Sequence, residues 1–222
     1  MKNIASHRSS FLDKSTNLGK DSGMTIFTSP RPLVWGELDV PMLGLAKDWY
    51  GAAVDPSAAF SLAMDACRLW FVAHHGHPAS LHPAAQPSRF QAGLWEHDVA
   101  ELFIADPLSG RYFEFNLAPN GAWWSCEFTA ARVRAEPTDI VMPEVETFSE
   151  LAPDGGWFAA LAIPLDLLKA RLDFGAHSRI NVTMILASPN QKFLTAGALS
   201  GDAPDFHQPQ QFSKIVLAPF AG

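Results

Sequence analysis

Proline punctuates this chain almost from end to end, and that spacing limits what it can build. The 222 residues carry 17 prolines, recurring from Pro30 to Pro209 and beyond. Proline has no backbone N–H and a fixed φ, so each one ends or edges a regular element. The runs between these breaks are short and rich in β-branched and aromatic residues, which suit strands. Many short strands between turn signals form the pattern of a sandwich or barrel. The expected fold is an all-β, antiparallel sandwich, immunoglobulin- or jelly-roll-like, with one or two short helices. Strands are expected over 33–40, 67–73, 99–105, 111–117, 122–128, 156–163, 179–187 and 212–217. A helix is expected over 164–172, with proline in its first turn and Leu165, Leu168 and Leu172 on one face. A second is expected near 56–64.

The length suits one domain, and a hydrophobic share of 48% suffices for one sizeable core. Residues 1–23 are polar and rich in Ser, Lys and Asn, without the apolar stretch of a signal peptide. They read as a disordered arm preceding a folded domain over 24–222. The corresponding expectation is a cytoplasmic protein, or a secreted one where the true start lies elsewhere. Net charge is −7 without a basic stripe, which sets nucleic acid aside. No apolar run reaches the ~18 residues of a membrane helix. Cys67 and Cys126 read either as one bridge or as two buried small hydrophobes.

The clearest local reading is a hairpin. Residues 99–105 turn through Asp106-Pro107-Leu108-Ser109-Gly110 into 111–117. Side chains alternate faces along a strand. Leu102 and Ile104 therefore match Phe113, Phe115 and Leu117 on an apolar face. Glu101, Phe103, Tyr112, Glu114 and Asn116 fall on the other face, which mixes carboxylate, amide and aromatic groups. On the next strand Trp124, Cys126 and Phe128 are expected in the core, alternating with Trp123, Ser125 and Glu127.

The stretch from Trp95 to Ile104 has a Trp, an Asp three residues on, and a Glu101-Leu102-Phe103 strand. This resembles the signature of family-9 carbohydrate-binding modules, within the wider DOMON-like sandwich group. Tyr112 to Asn116 is similar to that family's aromatic-rich following strand. Residues 204–217 resemble its closing segment, with Phe206 six positions before Phe212 and Ser213 where the family has Gly. The resemblance implies non-catalytic binding of a carbohydrate or sugar-like small molecule between two aromatic walls over a polar floor. By position, Trp95 is one wall and Phe206 the other, where Trp is usual. Glu101 is the floor acceptor, Glu114 shares its face, and Asn116 stands where Arg is common. His207, beside Phe206, joins the expected ligand set. An aromatic face suits the C–H patch of a pyranose, and carboxylates and amides suit its hydroxyls.

The resemblance also bears on cofactors, and none is expected. Calcium occurs in some modules of this type, but the loops around Asp154 and Asp202–Asp205 lack a calcium-loop signature. Haem-binding DOMON-like relatives use Met and His, and no spacing singles out a pair among Met64, Met142, Met184 and His207. The rival readings are a protein-partner-binding scaffold, served by the same rim aromatics, and a small glycoside-acting enzyme using Glu101 and Glu114. His74, His75, His77 and His82 suggest zinc or a loop cluster without function. His97 and Asp98 with Ser125 lack a nucleophile elbow. Asp98 reads better as an acceptor fixing the entry to its strand. Asn181-Val182-Thr183 matches a glycosylation sequon within an expected buried strand. Trp35, Trp49 and Trp157 take no place from sequence.

Overall fold

The computed structural model describes residues 23–220. Apart from Gly23, the expected arm lies outside the described residues. Among these residues the strands are β1 (Met24–Thr28), β2 (Leu43–Lys47), β3 (Ala53–Met64), β4 (Arg68–His75), β5 (Val99–Ala105), β6 (Tyr112–Leu117) and β7 (Trp123–Ala130). They continue as β8 (Val133–Arg134), β9 (Glu146–Leu151), β10 (Trp157–Pro164), β11 (Arg179–Leu186), β12 (Lys192–Thr195) and β13 (Ser213–Pro219), with one α-helix, α1 (Leu165–Leu172).

The strands form two layers of one curled sheet. The front layer runs β12-β11-β5-β6-β7-β8, and the back layer runs β2-β3-β4-β10-β9. Strands β13 and β1 join them at one corner. The pairing is antiparallel except around β1, which is parallel to both β13 and β3. The sandwich is thus mixed at its corner, where wholly antiparallel pairing was expected.

The inner faces follow the alternation read from sequence. Leu102, Ile104, Phe113, Phe115, Val182 and Met184 of the front layer meet Phe60, Leu62, Phe71, Leu161 and Ile163 of the back layer, all fully buried. Helix α1 closes one end of this core with Leu165, Leu168 and Leu172. Trp157 is buried within it as well.

Several expectations change. Residues 56–64 belong to strand β3, not a helix. Both faces of that strand are covered, so its apolar run carries no helical period, and ladders to β2 and β4 hold it extended. Residues 33–40 are not a strand. Pro30, Pro32 and Pro41 bracket them, Gly36 turns at φ 87°, and they cross the outer face of the back layer. Trp35 stacks there on Phe148 at 5.5 Å, and Val40 and Met42 pack near Trp70 and Val72. Strand β4 runs on to His75, so His74 and His75 are strand residues rather than part of a loop. Both cysteines are free thiols. Cys126 is buried, but Cys67 is exposed.

Candidate functional site

The outer face of the front layer carries the mixed residues that alternate with the core. Register places Glu101 opposite Asn116 and Phe103 opposite Glu114. One strand further, Cys126 pairs with Glu114, Asn116 with Trp124, and Tyr112 with Phe128. Trp124, Cys126 and Phe128 therefore share the face of Glu114, while Trp123 turns into the main core. Trp124, Cys126 and Phe128 are buried, as expected of core residues, but on the outer face of the front layer and not between the layers. Both faces of the strand are buried, so alternation alone does not say which one is central.

Asp98 fixes the approach to this face. Its carboxylate accepts backbone N–H groups of Ser80 (3.1 Å) and Ser188 (2.9 Å), tying together three connections. Just before it, residues Leu94–Glu96 form a 3-10 turn with Leu94 buried beneath. The turn lifts Trp95 to the rim, 37% exposed, edge-on to Trp124 at 5.1 Å. Gln191 donates to the Trp95 carbonyl at 3.2 Å.

Together these groups enclose a cavity of about 510 Å³. Glu101, Glu114 and Phe103 lie at its floor, with His207 beside them. Trp95, Trp124 and Phe128 line one part, and Phe206, Phe193 and Ile185 another. Arg132 and Arg134, from the β7–β8 hairpin, complete the lining with Gln191 and Pro204. Phe206 is buried, braced by Trp49 at 6.0 Å and Phe193 at 6.2 Å. Trp49 is held in turn by its indole N–H, which donates to the Gly201 carbonyl.

Of the residues singled out from sequence, the fold brings Trp95, Glu101, Glu114, Phe206 and His207 to one cavity. Asn116 is the exception. It is fully buried between Glu101 and Trp124, behind the floor rather than on it, and neither of its amide atoms completes a hydrogen bond. Sequence reasoning expected Trp124 and Phe128 to be buried, which they are, but not that they also line the cavity. Their shared period with Glu114 is the signal that could have found them. Arg132, Arg134, Gln191 and Phe193 come from a hairpin and a β11–β12 connection whose approach only the fold reveals.

The floor is electrostatically unusual. Glu101 and Glu114 are 3% and 4% exposed. Burial holds both carboxyls above the usual range, because low-dielectric surroundings disfavour charge. For Glu114 the neighbouring Glu101 charge adds to this, opposed by the Asn116 amide, Arg132 and Arg134. Thr183 donates its hydroxyl to Glu101 Oε2 at 2.6 Å and, with Arg132, favours the ionised form. His207 lies 3.7 Å from Glu114 through Nε2 and 2.7 Å from the Tyr112 hydroxyl through Nδ1. Burial and the nearby Arg132 hold its imidazole down to about 4, so it is neutral at neutral pH. The Tyr112 phenol is pushed up by burial and accepts the Arg132 backbone N–H.

The other constellations disperse. Ser125 is buried and donates to the Ile140 carbonyl, and Asp98 is spent on backbone N–H groups, so no triad assembles. His74 lies against the Trp157 carbonyl and stacks on Phe158, while His75–His77 and His82–His97 form separate ring pairs. Among the described residues no group of three or more His, Cys, Asp or Glu is placed to hold a metal ion. Asn181 is buried in β11, bonded to Thr195 and Gly197.

No known family and no curated protein matches the sequence. Solved structures do. A proposed carbohydrate-binding protein from Bacteroides uniformis superposes with a TM-score of 0.64 at 17% identity, over 89% of this chain and 100% of its own. A family-9 carbohydrate-binding module from Caldicellulosiruptor kristjanssonii in complex with cellotriose gives 0.59 at 17% identity, over 89% and 95%. The same organism's family-9 module in complex with glucose gives 0.59 at 17%, over 88% and 96%. The chain shares the β-sandwich fold of these structures along most of its length.

Proposed function

We propose that this chain binds carbohydrate without transforming it, seating a sugar in the front-layer cavity. The observation that carries the reading is the cavity's composition. A buried carboxyl floor is ringed by Trp95, Trp124, Phe128, Phe193 and Phe206. Aromatic faces remove the apolar C–H surface of a sugar ring from water. The carboxyls then take its hydroxyls, which must find partners once desolvated. The fold supports this reading, since its solved neighbours bear the names of carbohydrate-binding proteins and two were solved with cellotriose or glucose.

The test is tryptophan fluorescence titrated with mono- and disaccharides, on wild type and Trp95→Ala in parallel. Trp95 and Trp124 both line the cavity, so a seated ring perturbs their emission. A saturable change that weakens strongly in the variant is expected. A flat response to the whole panel overturns the reading and favours a protein partner at the same rim.

A further inference from the structure

The cavity floor holds two carboxyls that no Lys or Arg among the described residues pairs with directly; Arg132 and, for Glu114, Arg134 act on them only at longer range. Glu101 accepts one hydrogen bond, from the Thr183 hydroxyl. Among the described residues, none donates to Glu114 with normal geometry. The Asn116 amide lies beside it without completing one, and His207 Nε2 stands off at 3.7 Å. The two arginines of the lining make their direct ion pairs with other carboxylates. Arg132 pairs with Asp205 at 2.8 Å, and Arg134 pairs with Asp139 at 2.7 Å while lying over the Trp124 ring. His207 gives its Nδ1 side to the Tyr112 hydroxyl. Elsewhere on the same strands the chain treats a buried carboxylate differently. Glu127, on the opposite face of β7, is paired with both Arg111 and Arg171.

A neutral hydroxyl donates one hydrogen bond and brings no charge. An ammonium donates three and brings a positive charge into direct contact with the carboxyls. Aromatic rings around it, here Trp95, Trp124, Phe103 and Phe128, favour a cation further.

Resting on the carbohydrate reading above, we infer that the preferred ligand is an amino sugar, whose ammonium sits between Glu101 and Glu114. The aromatic walls take the ring, and the carboxyl pair takes the nitrogen. The floor then discriminates by charge, not by hydroxyl count alone.

The test is calorimetric titration, in phosphate buffer free of amines, with glucose and glucosamine, galactose and galactosamine, and mannose and mannosamine. In at least one pair the amino sugar is expected to bind at least about tenfold tighter, the scale of one charge-assisted hydrogen bond. N-acetylglucosamine and its counterparts should lose that advantage, since acetylation removes the charge. In Glu114→Gln the ratio within the pair should collapse towards unity. Amino sugars equal to or weaker than their hydroxyl partners, with some sugar bound, overturn the inference while leaving carbohydrate binding intact. A preference that survives Glu114→Gln overturns the assigned seat. No binding by any sugar overturns both readings together.

Discussion

The outer faces of the two layers face the same problem and meet it differently. On the back layer, Ala59 and Ala63 of β3, Trp70 and Val72 of β4, and Ala160 and Ala162 of β10 make an apolar surface. The chain covers it with its own segment, laying Trp35, Leu38, Val40 and Met42 across it. On the front layer the outward residues include Phe103, Trp124 and Phe128, equally in need of cover, but also Glu101 and Glu114. An apolar strip laid there would strand two carboxyls without partners, at a cost of several kcal/mol. The front face is instead left as a cavity. A wholly apolar face can be covered by the chain itself, whereas buried carboxyls among large aromatics leave the front face open as a cavity.

The largest expected effect tests the covered face. Trp70→Ala should cost about 3–5 kcal/mol of stability in urea denaturation, the range for deleting a large buried aromatic. Sugar affinity at the front face should hold. A loss below 1 kcal/mol, roughly a surface value, would show that the strip is a loose cover and would blur the contrast between the faces.

The next effect sharpens what is special about the front floor. Glu101 rises from an ordinary 4.5 to about 7, through burial. Between those values the folded protein keeps a proton that the unfolded chain has lost, so stability falls as pH rises through the window. That contribution is whole below 4.5 and gone above about 7. Glu101→Gln removes it, so the variant should gain on wild type by on the order of 2 kcal/mol between about pH 5 and pH 8. His207 works in the opposite sense. Its value falls from 6.5 to about 4, so its contribution makes stability rise as pH rises through that range. Both proteins share that slope, and the difference between their denaturation midpoints cancels it. A difference that does not vary with pH would mean the floor is better solvated than its burial implies.

The smallest effect on stability belongs to the rim. Trp95→Ala should change the denaturation midpoint by less than about 1 kcal/mol, as a partly exposed side chain does. It should still weaken sugar binding strongly. A large loss of stability would move Trp95 from the site to the packing of Trp124.

The same contrast explains how far the sequence could be read. The hairpin of β5 and β6 was legible because one of its faces is wholly apolar and the other mixed, so the period of two assigns every side chain. That logic placed Glu101 and Glu114 on one face before any coordinates. It failed to say which face of β7 looks outward, because Trp123 and Trp124 are both buried and each face carries a large aromatic. It failed again on 33–40, whose apolar residues cover a sheet without joining it. It also failed on β3, where Ala58 to Met64 is apolar on both sides apart from Ser61 and so shows no alternation to mark a strand. Asn116 shows a different limit. Its face was right, but it is fully buried between Glu101 and Trp124 and does not line the cavity. Arg132 and Gln191 had no local signature, because a hairpin tip and a loop become a rim only when the layers close.

The parallel corner has a mechanical consequence. Strands β1 and β13 run side by side, with Met24 beside Ile215 and Thr28 beside Pro219. Tension applied by anchoring the chain at Met24 and drawing at Pro219 pulls these two strands lengthwise past each other. The load then falls on all the rungs of that ladder at once, instead of opening them one by one like a zipper. A sandwich clamped in shear resists stretching far better than one peeled from an edge. A domain tethered on both sides would keep its cavity intact while the strand pair at its corner carries the strain.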